Sequence, residues 1–223
     1  MNTSQLRFEL YAGTSQPPGP WPDDGAVPRA RWGSLVAAMN SGFRLNQSMG
    51  GWYLDGKTAL PLVEGAASLV IYRDGSATVG EWGRDVTLSH SVVAVRQNLT
   101  MLVEDGLPTL AVDAPNPAQV WGAPYHNNIF TWRSALGVDA HGDLLYAAGP
   151  GMDPGAIATV MLAARARRAM ELDINPLWDN FDTYTGSGAN IVGAKLLPVM
   201  SFPTNHFLIP FWRDFIAAVV KPS

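Results

Sequence analysis

Leu6, Phe8 and Leu10 alternate with polar residues, the period of two expected of a strand with one face in a core. Later apolar runs come in pairs joined by short turns. Ser68 to Tyr72 and Ala77 to Trp82 flank Arg73-Asp74-Gly75-Ser76, and Ser134 to Val138 and Asp143 to Ala148 flank Ala140-His141-Gly142. Val92 to Val103 runs into Asp105-Gly106, and Trp52 to Leu54 into Asp55-Gly56; an Asp-Gly pair supplies the positive φ angles of a tight hairpin. Elsewhere the period changes to that of a helix. Pro28 suits a first helical turn, so a short helix is predicted through Trp32, Leu35 and Val36 toward Met39. Asp153 is an N-cap followed by Pro154, and Ile157, Val160, Met161 and Ala164 then recur at helical spacing. That helix is expected to run to Arg168, with Arg165, Arg167 and Arg168 at the end where the dipole favours positive charge. Ala169 to Ile174 reads as a strand again. A strand, helix, strand order predicts a right-handed crossover that sets the new strand inside the sheet.

Gln16 to Gly25, Asp113 to Asn128 and Asp182 to Lys195 are rich in Pro, Gly, Ser or Asn and read as loops; Leu208 to Val220 closes the chain. No repeat and no linker divides it. The expected architecture is α+β: a single domain over residues 1–223, a β-rich mixed sheet with hairpins and a few packed helices.

Composition narrows the class. With 47% hydrophobic and 15% charged residues the chain can bury a core, and a net charge of −4 argues against broad nucleic-acid binding. The absence of Cys removes disulfides and thiol nucleophiles, and the four His lack metal-ligand spacing. No apolar run reaches the roughly 18–20 residues of a membrane span. Met1 to Gln5 lacks the basic and apolar regions of a signal peptide. Either the protein is cytoplasmic, or an upstream signal or anchor is missing from this sequence; the immediate opening on a strand favours the second. The oligomeric state leaves no trace in the sequence.

Candidate chemistry concentrates in Met170-Glu171-Leu172-Asp173-Ile174-Asn175-Pro176. On a strand, Glu171, Asp173 and Asn175 share one face. Carboxylates on an interior strand are costly unless paired, and neighbouring ones hold protons more tightly, which is how acid/base pairs arise. The alternative is the solvent face of a strand that ends in a turn. Arg133 opens an apolar strand, and its guanidinium suits phosphate or simply pairs with Glu171 or Asp173. Arg96-Gln97-Asn98 is a similar polar insertion. Asn40-Ser41-Gly42-Phe43 could aim an amide at a sugar or phosphate, Gly42 allowing close approach, or be a plain helix cap and turn. His126 beside Asn127 and Asn128 could line a cleft, and Trp52, Tyr53, Trp121, Trp178 and Tyr184 could stack on a sugar.

Taken in order, four segments resemble the phosphodiester glycosidase family: Asn40-Ser41-Gly42-Phe43 its Asn-Gly-Gly-Phe turn, Gly51-Trp52-Tyr53-Leu54-Asp55-Gly56 its glycine-led Asp-Gly hairpin, Arg133-Ser134-Ala135-Leu136-Gly137 its Arg-x-Ala-x-Gly strand, and Leu172-Asp173-Ile174-Asn175 its late Leu-Asp-Gly-Gly. The helix from Pro154 stands where the family has one. Ser41 replaces a glycine, and Ile174 and Asn175 replace two, which looks like a bacterial branch.

The resemblance implies hydrolysis of a sugar-1-phosphodiester, or a related cell-envelope glycan, at the glycosidic bond, outside the cytoplasm in a secreted or membrane-anchored protein. Asp173 and Glu171 are the implied catalytic carboxylates; Asn40, Gly42, Arg133, Asn175 and Arg96 are the implied substrate-binding residues. No cofactor is required. An oxygen-rich cleft can hold a divalent cation, but no loop spells out a calcium site. The alternatives are a non-catalytic envelope glycan-binding module, which the lost Gly-Gly favours, and a phosphodiesterase on another envelope polymer.

Overall fold

The computed structural model describes every residue except Tyr125, Asn127 and Ser223, so the candidate Asn127 lies outside the described residues. Its strands are β1 (Leu6–Tyr11), β2 (Leu35–Asn40), β3 (Trp52–Leu54), β4 (Lys57–Leu60), β5 (Ala67–Tyr72), β6 (Ala77–Glu81), β7 (Val92–Gln97) and β8 (Met101–Glu104). They continue with β9 (Leu107–Pro108), β10 (Thr131–Val138), β11 (Leu144–Met152), β12 (Arg168–Glu171), β13 (Phe181–Thr185), β14 (Val192–Lys195) and β15 (Phe215–Val220). Among the described residues the α-helices are α1 (Pro117–Val120) and α2 (Pro154–Ala163). The fold is α+β and strand-rich.

Three five-stranded antiparallel sheets form, in the orders β1-β15-β2-β13-β14, β11-β10-β12-β8-β9 and β4-β3-β7-β5-β6. The Asp-Gly turns behave as their chemistry requires. Asp55 and Gly56 have φ of 45° and 85°, and Asp105 and Gly106 have 49° and 74°, closing β3 on β4 and β8 on β9. One continuous core joins the three sheets: Phe8, Met39 and Ile216 from the first, Leu136 and Met170 from the second, Leu69 and Trp52 from the third. A second cluster seats Ile157, Ala158 and Met161 of α2 on Leu102, Val103, Ala135 and Ala169. The helix approaches closely because Gly137 lacks a side chain; a Cβ there would lie 2.5 Å from the Met161 methyl and 2.7 Å from the Arg168 carbonyl oxygen. β12 is interior, between β10 and β8, as the strand, helix, strand order predicts.

Four local expectations are corrected. Pro28 opens only a 3-10 turn, Arg29–Arg31, and the segment read as helix is β2. β2 is a central strand with both faces covered: Ala37 and Met39 enter the main core, Leu35 and Ala38 a separate cluster with Phe207 and Phe215. A short strand that is apolar on both faces has no period of two, so it mimics a helix. Second, Asp182 to Lys195 is largely the β13–β14 hairpin, whose polar residues occupy a sheet edge. Third, Val92 to Val103 is two strands in two sheets, broken at Asn98-Leu99-Thr100, where Leu99 has φ 55°. Fourth, α2 stops at Ala163, and Arg165 at φ 67° turns the chain into β12.

The Asp153 carboxylate accepts a bond from Ala156 N at 2.7 Å. Asp153→Ala should therefore cost about 1 kcal/mol, read as a lower guanidinium midpoint with unchanged slope. On β13, burial pushes the Asp182 carboxyl up to about 7, while burial pushes the nearby His206 down to about 4. An acid whose folded pKa is raised favours folding while protonated in both states, and loses that contribution as pH climbs from its ordinary 3.8 to about 7. Asp182→Asn should thus gain stability on the wild type across that window, in urea titrations at stepped pH. A difference independent of pH would contradict the burial cost. His206 Nδ1 lies 3.3 Å from Asp182 Oδ2, so the same comparison in a His206→Gln background separates the slope of Asp182 from that of the imidazole.

Candidate functional site

Three buried arginines, one on each sheet or at its edge, meet three buried carboxylates. Arg96 on β7 pairs through Nε with Asp214 Oδ2 at 2.8 Å; Arg133 on β10 pairs through Nη1 with Glu171 Oε2 at 2.6 Å; Arg213 pairs through Nη2 with Asp173 Oδ2 at 3.0 Å. Charges so far from water persist only when paired and hydrogen-bonded.

The three differ in how completely they are satisfied. Arg96 also donates through Nη1 to Gln97 O at 2.5 Å and through Nη2 to Phe43 O. Arg133 donates through Nε to Met152 O at 2.9 Å and through Nη2 to Ile129 O at 3.3 Å. Every nitrogen of both groups is thus used internally. Arg213 reaches its hydrogen-bond partners, Asp173 and the Gly42 carbonyl, through Nη2 alone, and its guanidinium lies 4.8 Å from the Trp178 ring centroid.

Asp173 is held just as firmly. The chain leaves β12 at Glu171, and Asp173 Oδ1 then caps the turn by accepting Ile174 N at 2.8 Å and Asn175 N at 3.1 Å. Beneath it Ser134 is a hub. Its hydroxyl donates to Asp179 Oδ1 at 2.5 Å and accepts from Asn40 Nδ2 at 3.0 Å and from Asp173 N at 3.2 Å. Tyr146 OH donates to Asn40 Oδ1 at 2.8 Å. Asn98 bridges two segments: its Oδ1 accepts Phe43 N at 3.0 Å and its Nδ2 donates to Glu171 O at 2.8 Å.

Burial raises the Asp173 carboxyl, opposed by Arg213 and by the two backbone N–H groups. Burial pushes Glu171 up to about 7 despite the adjacent Arg133. Asp179 is raised well above the usual carboxylate range by burial and by the charges of Asp173 and Glu171. A cluster of three carboxyls thereby carries less charge than three.

Asp173, Asn175, Trp178 and Arg213 line an open cleft of about 430 Å³ together with Arg44 and Gln47. Of the seven candidates, Asp173 and Asn175 face this cleft, and Gly42 supports it by its carbonyl bond to Arg213. Gly42 has φ 150°, and a Cβ there would come within 3.0 Å of Asn98 Oδ1 and 3.2 Å of the Arg96 guanidinium carbon. Asn40, Glu171, Arg133 and Arg96 lie beneath, all buried, with Glu171 and Arg96 at 0% exposure. A wider depression of about 760 Å³, around Tyr53, Arg73 and His90, contains none of the seven. Among the described residues no three His, Asp or Glu side chains are grouped to hold a metal ion.

Of the polar cleft residues that sequence reasoning missed, Arg213, Arg44 and Gln47, the one paired with Asp173 is Arg213. Its signal was available: Arg213-Asp214 is a charged pair set between Phe211-Trp212 and the apolar run Phe215 to Val220. Ser134 and Asp179 were missed as well, and neither stands out from its neighbours in sequence.

No protein-family model and no curated protein sequence matches the chain. Solved structures do. The chain is similar to the catalytic domain of zebrafish N-acetylglucosamine-1-phosphodiester alpha-N-acetylglucosaminidase, in a form auto-inhibited by its pro-peptide, with a TM-score of 0.57 and 16% identity over 99% of this chain and 74% of that one. It is also similar to a hypothetical protein from Synechocystis, with a TM-score of 0.52 and 12% identity over 97% of this chain and 57% of that one. At such identities the likeness is one of fold alone: the chain shares the fold of the zebrafish domain.

Proposed function

We propose that the protein is an extracytoplasmic hydrolase that cleaves the glycosidic bond of a sugar-1-phosphodiester or related cell-envelope glycan, with Asp173 and Arg213 as its central pair. The observation that carries this reading is the incomplete satisfaction of Arg213. A buried arginine that spends one nitrogen on the protein, at the floor of an open cleft, keeps Nε and Nη1 for a ligand anion. The fold likeness to a phosphodiester glycosidase domain supports the same chemistry.

Phosphate is a good leaving group, so the sugar C1–O bond breaks through an oxocarbenium-like state with the electron pair passing to the phosphate oxygen. Arg213 neutralises that oxygen, from a position fixed before reaction by Gly42 and Trp178. Asp173 stabilises the cationic sugar and takes the proton of the water that adds at C1. Asn175 orients a sugar hydroxyl. Glu171, Arg133, Arg96 and Asn40 act as positioning groups beneath.

One observation favours the binding-module alternative. Glycosidases ordinarily work with two carboxylates, and here Glu171 is sealed against Arg133 while Asp173 already accepts three hydrogen bonds.

A panel of sugar-1-phosphodiesters, assayed for free sugar and phosphomonoester, separates the readings. The wild type should release both. Asp173→Asn should lower kcat/KM by about 100- to 10 000-fold, and Arg213→Met by about 100- to 1000-fold, with circular dichroism unchanged. Sugar phosphate plus free alcohol would point instead to a phosphodiesterase. Binding without turnover, surviving Asp173→Asn, would leave a glycan-binding module.

A further inference from the structure

The fold commits most of the aromatic rings offered by the sequence to its own interior: Trp52 and Trp121 are 0% exposed, Tyr184 5% and Trp178 8%. Trp212 is the opposite case, 57% exposed and one residue before Arg213. Its ring centroid lies 5.7 Å from that of Trp178 at an interplanar angle of 69°, and Trp178 in turn carries Arg213 and lines the cleft. The wall of the cleft therefore continues outward, through ring contact, onto an open indole.

That indole stands on a fixed backbone. The Trp212 carbonyl accepts Ser15 N and Gln16 N, both at 3.1 Å, and the Phe211 carbonyl accepts Thr14 N at 2.8 Å. Gly13 packs so tightly beneath that a Cβ on it would lie 2.3 Å from the Trp212 oxygen. Leaving a tryptophan in water forgoes the gain of burying it, and a ring on a rigid segment loses little freedom when a ligand covers it. Its flat apolar face matches the C–H face of a pyranose, and its N–H remains for a hydroxyl.

We propose that Trp212 forms a second sugar subsite, so that the substrate of the Asp173–Arg213 cleft is a glycan of at least two sugar units rather than a single sugar. The unit bearing the anomeric phosphate sits over Asp173, and its neighbour stacks on Trp212. The inference rests on the glycosidic reading of the cleft given above.

The test uses two non-hydrolysable probes, the methyl 1-phosphonate esters of N-acetylglucosamine and of its β-1,4-linked disaccharide. Their dissociation constants are measured by calorimetry for wild type, Trp212→Ala and Trp212→Phe. The disaccharide should bind wild type roughly tenfold more tightly, the size of one good stacking contact. Trp212→Ala should bring the ratio of the two constants to about one, and Trp212→Phe should keep most of it. Equal binding of the two probes to wild type, or a ratio unmoved by Trp212→Ala, overturns this inference alone. A concentration-dependent dimer that Trp212→Ala dissolves without changing the ratio assigns the ring to self-association and also overturns it. Failure of wild type to bind either probe overturns the reading of the cleft and this inference with it.

Discussion

The structure depends on the neutralisation of three desolvated arginines. Arg96 of the third sheet meets Asp214 at the head of β15 in the first, and Arg213, beside Asp214, meets Asp173 of the second. Two of the three pairs thus tie separate sheets together, while Arg133 and Glu171 bind adjacent strands of one. Taking such charges out of water is expensive, and removing one partner typically costs about 3–5 kcal/mol because the other is left stranded. Hydrophobic burial drives the collapse of the three sheets. The ion pairs constrain how their ends meet, because a slip of one sheet would separate Arg96 from Asp214 or Arg213 from Asp173.

The same constraint yields the site. Two of the arginines spend all their nitrogens on carbonyls and carboxylates and become framework, whereas the third does not and faces an open cleft. Function on this view comes from a shortfall in the internal bonding of Arg213, held in place by two arginines that have none. Asp179, bonded to Ser134 and pushed toward its neutral form by burial and by Asp173, eases the repulsion that a third carboxylate would impose on Asp173. Most polar groups in the seam are tolerated because they satisfy one another, and the exceptions, Glu171 Oε1, Asp179 Oδ2 and Asp214 Oδ1, are carboxyl oxygens whose sister oxygens are bonded.

Much of this was legible where chemistry is local. Asp55-Gly56 and Asp105-Gly106 marked hairpins, since few other dipeptides accept positive φ at both positions, Asp74-Gly75 marked another in which the glycine alone does so, and Asp153-Pro154 marked the start of α2. Glu171 and Asp173 stood out as carboxylates in an apolar run, and both are buried, but the strand expected to reach Ile174 ends at Glu171, and Asp173 caps the turn beyond it. What could not be read depended on partners distant in the chain. β2 passed for a helix because both its faces are covered, by groups as far away as Phe215 and Ile216. β13 and β14 passed for a loop because β14 is the edge strand and the hairpin they form carries polar residues. The distinction between Arg133 and Arg213 is set by which backbone carbonyls come within reach, and no residue type signals that.

The central claim is that Arg213 and Asp173, not the sealed arginines, receive the ligand. A crystal structure of the protein with the monosaccharide 1-phosphonate ester tests it most directly. The account predicts phosphonate oxygens within hydrogen-bond distance of Arg213 Nε or Nη1, with the anomeric carbon facing Asp173 and the Arg133–Glu171 pair unchanged. A ligand seated instead in the depression of Tyr53, Arg73 and His90, or one that opens the Arg133–Glu171 pair to reach Glu171, would contradict it.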